Sequence, residues 1–212
     1  MGDSAPVYAR EIEDPVEAVF ESGGPVGLSW SSRVVLRQGD TSLATVHLAQ
    51  ETNFRRAFGS IDFGARSFTL TMPPDRTLGE MLAEFFTRYR RRRVWRAGSG
   101  IVTEIRDITQ DEKSALKGTF QRDGTSYVIE RPINTGFLGR TEGDIRVMAN
   151  NREVARIEES LADKAIMVIT PDAPVRLDVI AIAFDLGMSL SLPRGGGGAG
   201  SGGGGGDGGG GC

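Results

Sequence analysis

The densest chemistry in the chain lies at residues 88–96. There Arg88, Arg90, Arg91, Arg92, Arg93 and Arg96 place six guanidinium groups in nine positions, with Tyr89 and Trp95 among them. A guanidinium grips phosphate or carboxylate through parallel N–H donors, and an aromatic neighbour can lie at a lipid headgroup or stack on a base. An anionic membrane surface suits this composition, each basic residue close to it contributing about 1 kcal/mol. The competing reading is a solvated helix end whose arginines pair with carboxylates, because arginine is this chain's default cation, with 22 arginines against three lysines. A nucleic-acid ligand is disfavoured: 25 basic against 28 acidic residues leave a net charge of −3 and no polycationic coat.

Elsewhere, reactive residue types stand in spacings that support no chemistry. His47 is the sole histidine and lies in an alternating stretch with no serine or cysteine motif near it, which favours a core or edge histidine over a catalytic base and excludes a polyhistidine metal site. The acidic groups Glu11, Glu13 and Asp14, and Asp107, Asp111 and Glu112, lack the Asp-x-Asp-x-Asp-Gly spacing of a calcium loop and read as solvated loops. The glycine run at 195–211 has no strand before it, no helix after it and no lysine, so it reads as a flexible tail rather than a phosphate loop. Cys212 is the only cysteine, which excludes an internal disulfide framework. Asp178 and Asp185 stand seven apart in an apolar segment, on one face if it is helical; buried, they need partners such as arginine. No catalytic constellation, metal site or cofactor is expected.

These residues need elements to hold them. Between 16 and 72, VEAVF, GLSW, RVVLRQ, SLATVHLA, FGSIDFG and SFTLTM are short apolar stretches, several alternating, divided by Gly-rich turns about ten residues apart. That pattern favours an antiparallel meander over βαβ units. Leu78, Met81, Leu82, Phe85, Phe86 and Tyr89 then fall on one helical stripe behind a Thr77/Glu80 capping box, predicting an amphipathic helix over 77–93 that ends in the arginines. A second meander follows at 101–105, 118–121, 126–130, 137–141, 144–149, 153–158 and 165–169, with hairpin signals at Asp123-Gly124 and Asn150-Asn151. Periodicity alone leaves residues 174–190 open: Val179, Ile180 and Ile182 favour a strand, while the length without a turn signal and apolar residues on nearly every side favour a helix buried all round, which is the expectation, with Asp172 as its N-cap and Pro174 in its first turn. The longest apolar run, 179–184, is far too short to span a bilayer, and the first 20 residues show no targeting pattern, so a cytoplasmic setting is expected.

Two segments, GDIRVMANNREVARI at 143–157 and the apolar 174–190, are together similar to the hairpin and core helix of the tubby C-terminal-like superfamily, which includes LURP-one-related proteins and phospholipid scramblases. The resemblance implies a closed antiparallel β-barrel around a buried hydrophobic C-terminal helix, and phosphoinositide-type headgroups as ligands. The expected organisation is an N-terminal segment at 1–15, a mainly β barrel domain at 16–192 with one further amphipathic helix, and a disordered Gly-rich tail at 193–212. The expected function is a non-enzymatic module for anionic lipid headgroups or a protein partner, with Arg88, Arg90, Arg91, Arg92, Arg93, Trp95 and Arg96 as the contact. The alternative is a small-ligand carrier or enzyme using the barrel interior, which requires a cavity there.

Overall fold

The computed structural model describes residues 6–21, 33–52, 56–71, 73, 75, 77–79, 92–107, 114–136, 139–163 and 165–190. After a 3-10 turn at Val7–Ala9 come β1 (Glu11–Ile12), β2 (Val16–Phe20), β3 (Arg33–Gln38), β4 (Thr41–Thr52), β5 (Arg56–Asp62) and β6 (Ser67–Thr71). The second half holds β7 (Arg92–Ala97), β8 (Gly100–Asp107), β9 (Ala115–Arg122), β10 (Thr125–Gly136), β11 (Gly139–Glu142), β12 (Ile145–Ala149), β13 (Arg152–Glu159) and β14 (Ile166–Pro171). Last come β15 (Val175–Arg176) and the helix α1 (Leu177–Ser189).

From β2 to β10 every strand pairs antiparallel with its successor. The first part of β10 continues into β12, β13 and β14, while its far part carries β11 as a flap. Strand β14 then closes on β2, with Ile166 opposite Val19 and Ile169 opposite Val16. The result is a closed, twelve-stranded, up-and-down barrel, built of the antiparallel meanders that the alternating stretches predict. The connections differ at the two ends. The left-handed backbone residues Gly39, Gly64, Gly98, Asp123, Gly124, Asn150 and Asn151 all belong to tight turns at one end. At the two predicted hairpins, φ is positive at both central residues, 47° and 79° at Asp123-Gly124 and 51° and 62° at Asn150-Asn151. That is the type I′ requirement. The longer connections gather at the opposite end.

The helix fills the lumen. Every residue from Leu177 to Met188 is buried, a pattern open only to a helix enclosed on all sides. It meets walls facing one another across the ring: β4 on one side, β9, β10 and β12 on the other. Two glycines make that approach possible. A Cβ on Gly187 would lie 2.6 Å from Ile145 Cγ2, and one on Gly118 of β9 would lie 2.9 Å from Leu186 Cδ1. Phe184 meets Phe20 of β2, ring centroids 6.2 Å apart.

Two expectations change in the structure. The C-terminal helix begins after Arg176 rather than at Pro174, and Asp172 does not cap it. Val175 and Arg176 instead pair with Ile12 and Glu11, which buries Ile12 and Val175, and the Leu177 amide donates to the Arg10 carbonyl at 2.9 Å. Residues 92 and 93 are not the end of an amphipathic helix but open strand β7, because Trp95 and Arg93 alternate inward and pair with Thr103 and Ile105 of β8. Of that helix Leu78 and Gly79 are seen in helical conformation, and 80–91 lies outside the described residues. So do the GLSW stretch and the Gly-rich tail with Cys212. Among the described residues, no helix is long and apolar enough to cross a membrane.

Gly187→Ala should improve local helix propensity yet lower stability, by about 1–3 kcal/mol, because the methyl group meets Ile145. In an Ile145→Ala background the same change should cost markedly less. Chemical denaturation of the four proteins checks this; an unchanged cost in both backgrounds would show that Gly187 is not tight against β12.

Candidate functional site

The arginine run meets the barrel as a strand, and period two divides it. Arg93 and Trp95 turn inward, Trp95 fully buried and Arg93 5% exposed. Arg92 and Arg96 turn outward. Arg92 donates from Nε to Glu104 Oε1 at 2.8 Å and from Nη2 to Asp75 Oδ2 at 3.3 Å, and Arg106 Nε reaches the same Glu104 oxygen at 2.8 Å. Arg92, then Arg106, hold the Glu104 carboxyl below the ordinary carboxylate range against the opposing effect of burial. Arg96 binds Thr71 Oγ1 and the Ser99 carbonyl, each at 3.3 Å, and has no carboxylate partner among the described residues. Arg88, Arg90 and Arg91 lie outside the described residues.

The inward arginines serve the helix. Arg93 donates from Nη2 to Ser189 Oγ at 2.8 Å, and that hydroxyl donates to the Leu186 carbonyl at 2.7 Å. Arg131 of β10 reaches the Leu190 carbonyl at 3.3 Å while paired with Glu142 at 2.9 Å. Burial pushes the Arg131 guanidinium below its ordinary value, and Glu142 opposes the shift. Thus two cations from the barrel wall meet the negative end of the helix dipole, whose own last turn carries no basic residue.

The other end is the mirror of this in charge. Asp178, in the first turn of α1 and fully buried, accepts from Arg122 Nε at 2.9 Å and from Arg176 Nε at 3.0 Å and Nη2 at 2.8 Å. Arg176 also binds Asp123 in the β9–β10 turn. Tyr127, stacked on Phe120 with ring centroids 5.1 Å apart, has its phenol pushed up first by burial and then by the Asp178 charge. The arginine partners expected for a buried Asp178 are therefore present; Asp185 is buried two turns further on.

The remaining candidates are dispersed. His47 faces outward and is exposed on β4, opposite Arg33 and Ser60. Glu11, Glu13 and Asp14 are exposed at the tight-turn end, and Asp111 and Glu112 lie outside the described residues. No group of acidic, histidine or cysteine side chains suited to a metal occurs among the described residues. Arg122, Arg131 and Arg176 are the residues that sequence reasoning missed. For two of them the signal was parity: Arg122 continues the inward series Leu116, Gly118, Phe120, and Arg131 continues Tyr127, Ile129.

Asp178→Ala should cost about 2–3 kcal/mol, less than the roughly 3–5 kcal/mol of a fully buried pair because both arginines reach solvent. Adding Arg122→Met should recover part of that loss in a denaturation series, whereas strict additivity would remove the clamp as its cause. Glu104→Gln tests the outer cluster through pH. A carboxyl whose pKa is lowered by folding stabilises the fold above its unfolded value, ordinarily 4.5, and loses that contribution as pH falls through the folded value. The gap in melting temperature between wild type and variant should therefore be open at neutral pH and close as pH falls below that value; a gap independent of pH would count against the cluster.

No protein-family model matches the chain, and comparison with curated proteins and with solved structures likewise finds no match.

Proposed function

We propose that the chain is a non-enzymatic, cytoplasmic binding module of tubby-like type that recognises anionic lipid headgroups with Arg88, Arg90, Arg91, Arg92 and Arg96. The observation that carries this reading is the filled lumen: α1 occupies the interior that a carrier or an interior active site would need, so recognition falls to the outer surface. Arg96 supports it as an outward cation without a carboxylate partner among the described residues, on the strand into which the run leads. A barrel around one apolar helix is also what the tubby-like resemblance implies, which supports keeping a headgroup as the ligand class. Arg93 and Trp95 drop out of the proposed contact because their side chains are spent on the interior. A protein partner with an acidic surface would use the same cations.

The test is co-sedimentation with neutral and with anionic vesicles at low and physiological salt. Binding to anionic vesicles alone, weakened by salt, is expected. Arg90→Glu/Arg91→Glu, which spares the Arg92–Glu104 pair, should reduce that binding at least about tenfold, given about 1 kcal/mol for each charge near the surface. Equal binding to both vesicle types, or none, would overturn the lipid reading.

A further inference from the structure

A cleft of ≈ 110 Å³ opens at the tight-turn end of the barrel, between the 3-10 turn that carries Tyr8 and the β7–β8 hairpin. Its lining includes Arg66, Arg122, Tyr8, Phe68, Ile101 and Val102, and no acidic side chain among the described residues. Two guanidinium groups thus border one small space with no carboxylate in its lining, Arg122 also having Asp123 Oδ1 3.8 Å from its Nη1. They are held differently. Arg122 is fixed, its Nε bound to the buried Asp178 at 2.9 Å and its Nη1 at 3.5 Å from the Val102 carbonyl. Arg66 lies over the Tyr8 ring, its guanidinium carbon 5.0 Å from the centroid, and donates from Nη1 to the Tyr8 hydroxyl at 2.9 Å. No carboxylate pairs with Arg66 among the described residues. Tyr8 is itself seated edge-on against Phe68, with centroids 5.7 Å apart, so the stacked pair stands on the aromatic core.

Apart from the two arginines and the Tyr8 hydroxyl the lining side chains are apolar, and Ile101 is 62% exposed although it borders two cations. A ligand that satisfied the cations alone would leave that surface wet. We propose that this cleft binds a short organic acid, its carboxylate between Arg66 and Arg122 and its aliphatic tail against Ile101 and Val102. The chemistry favours a planar carboxylate, which an arginine fork meets with two parallel donors. The volume corresponds to about four water molecules' share of liquid, which suits a tail of a few carbons rather than a long acyl chain. The membrane contact proposed above adjoins this cleft only at Arg96, which pairs with Ile101 across the β7–β8 hairpin; Arg66 and Arg122 take no part in it, so Arg66→Gln and Arg90→Glu/Arg91→Glu test the two readings apart.

The test is titration of the full chain with butyrate, acetate, inorganic phosphate and butyramide at constant ionic strength, read by calorimetry or by the rise in melting temperature. Saturable binding of butyrate is expected, about five- to tenfold tighter than acetate from its two extra methylene groups, with no effect of the uncharged amide. Arg66→Gln, at an exposed position, should weaken butyrate binding at least about fivefold and lower the melting temperature of the free chain only slightly, through loss of its contacts with Tyr8. Ile101→Ala should keep acetate binding and shrink the butyrate preference. The proposal is overturned by the absence of saturable binding, by equal affinity for butyrate, acetate and phosphate, which would mean an adventitious ion only, or by unchanged binding in Arg66→Gln.

Discussion

A ring of twelve strands is wider than its own inward side chains can fill. Barrels of about eight strands close on their side chains, and those of sixteen or more leave a channel. Twelve leaves a lumen on the scale of one α-helix with its side chains, roughly 10–12 Å across. The protein meets this constraint with α1, and the other features follow from it. The helix must bury every face, which is why it has no solvent stripe. The wall must yield where backbone meets backbone, as at Gly118 and Gly187. An interior so occupied is a core, and recognition is left to the turns, the connections and the outer face.

Burial of an entire helix raises an electrostatic difficulty that a surface helix avoids, because no water screens its dipole. The barrel answers with its own charges. Asp178 stands in the first turn, neutralised by Arg122 and Arg176, while Arg93 and Arg131 reach from β7 and β10 to the last turn and the residue beyond it. These contacts fix the direction of the helix as well as its position. Reversed in the lumen, α1 would carry Asp178 away from Arg122 and take its last turn and the Leu190 carbonyl away from Arg93 and Arg131.

Much of this architecture was legible because alternation is a local signal. Strands β2 and β3 match the apolar stretches VEAVF and RVVLRQ, and both hairpin dipeptides adopt the turn they predict. What was not legible depended on partners distant in sequence. Residues 92 and 93 continue a helical pattern when read locally, but pairing with β8 and burial of Trp95 override it. Val175 looked like the first turn of a helix until β1, more than 160 positions earlier, supplied a strand for it. The arginine run was conspicuous as composition, yet the strand splits its described part between two environments. The Asp178 clamp was foreseen as a need, and its partners could be named only once β9 and the residue before α1 were placed in space.

The filling element is also the last of the barrel's elements to be made. Ribosomal synthesis delivers β2 to β14 before α1, so a nascent chain holds the strand sequences of the barrel before the helix that covers their apolar face exists. The seam adds to this delay, because it joins Val19 to Ile166 across almost the whole barrel sequence. Pairings so distant are slow to form, and apolar strands waiting for them are exposed to aggregation. Closure of the barrel around its filling therefore waits for α1, the last of its elements in the chain.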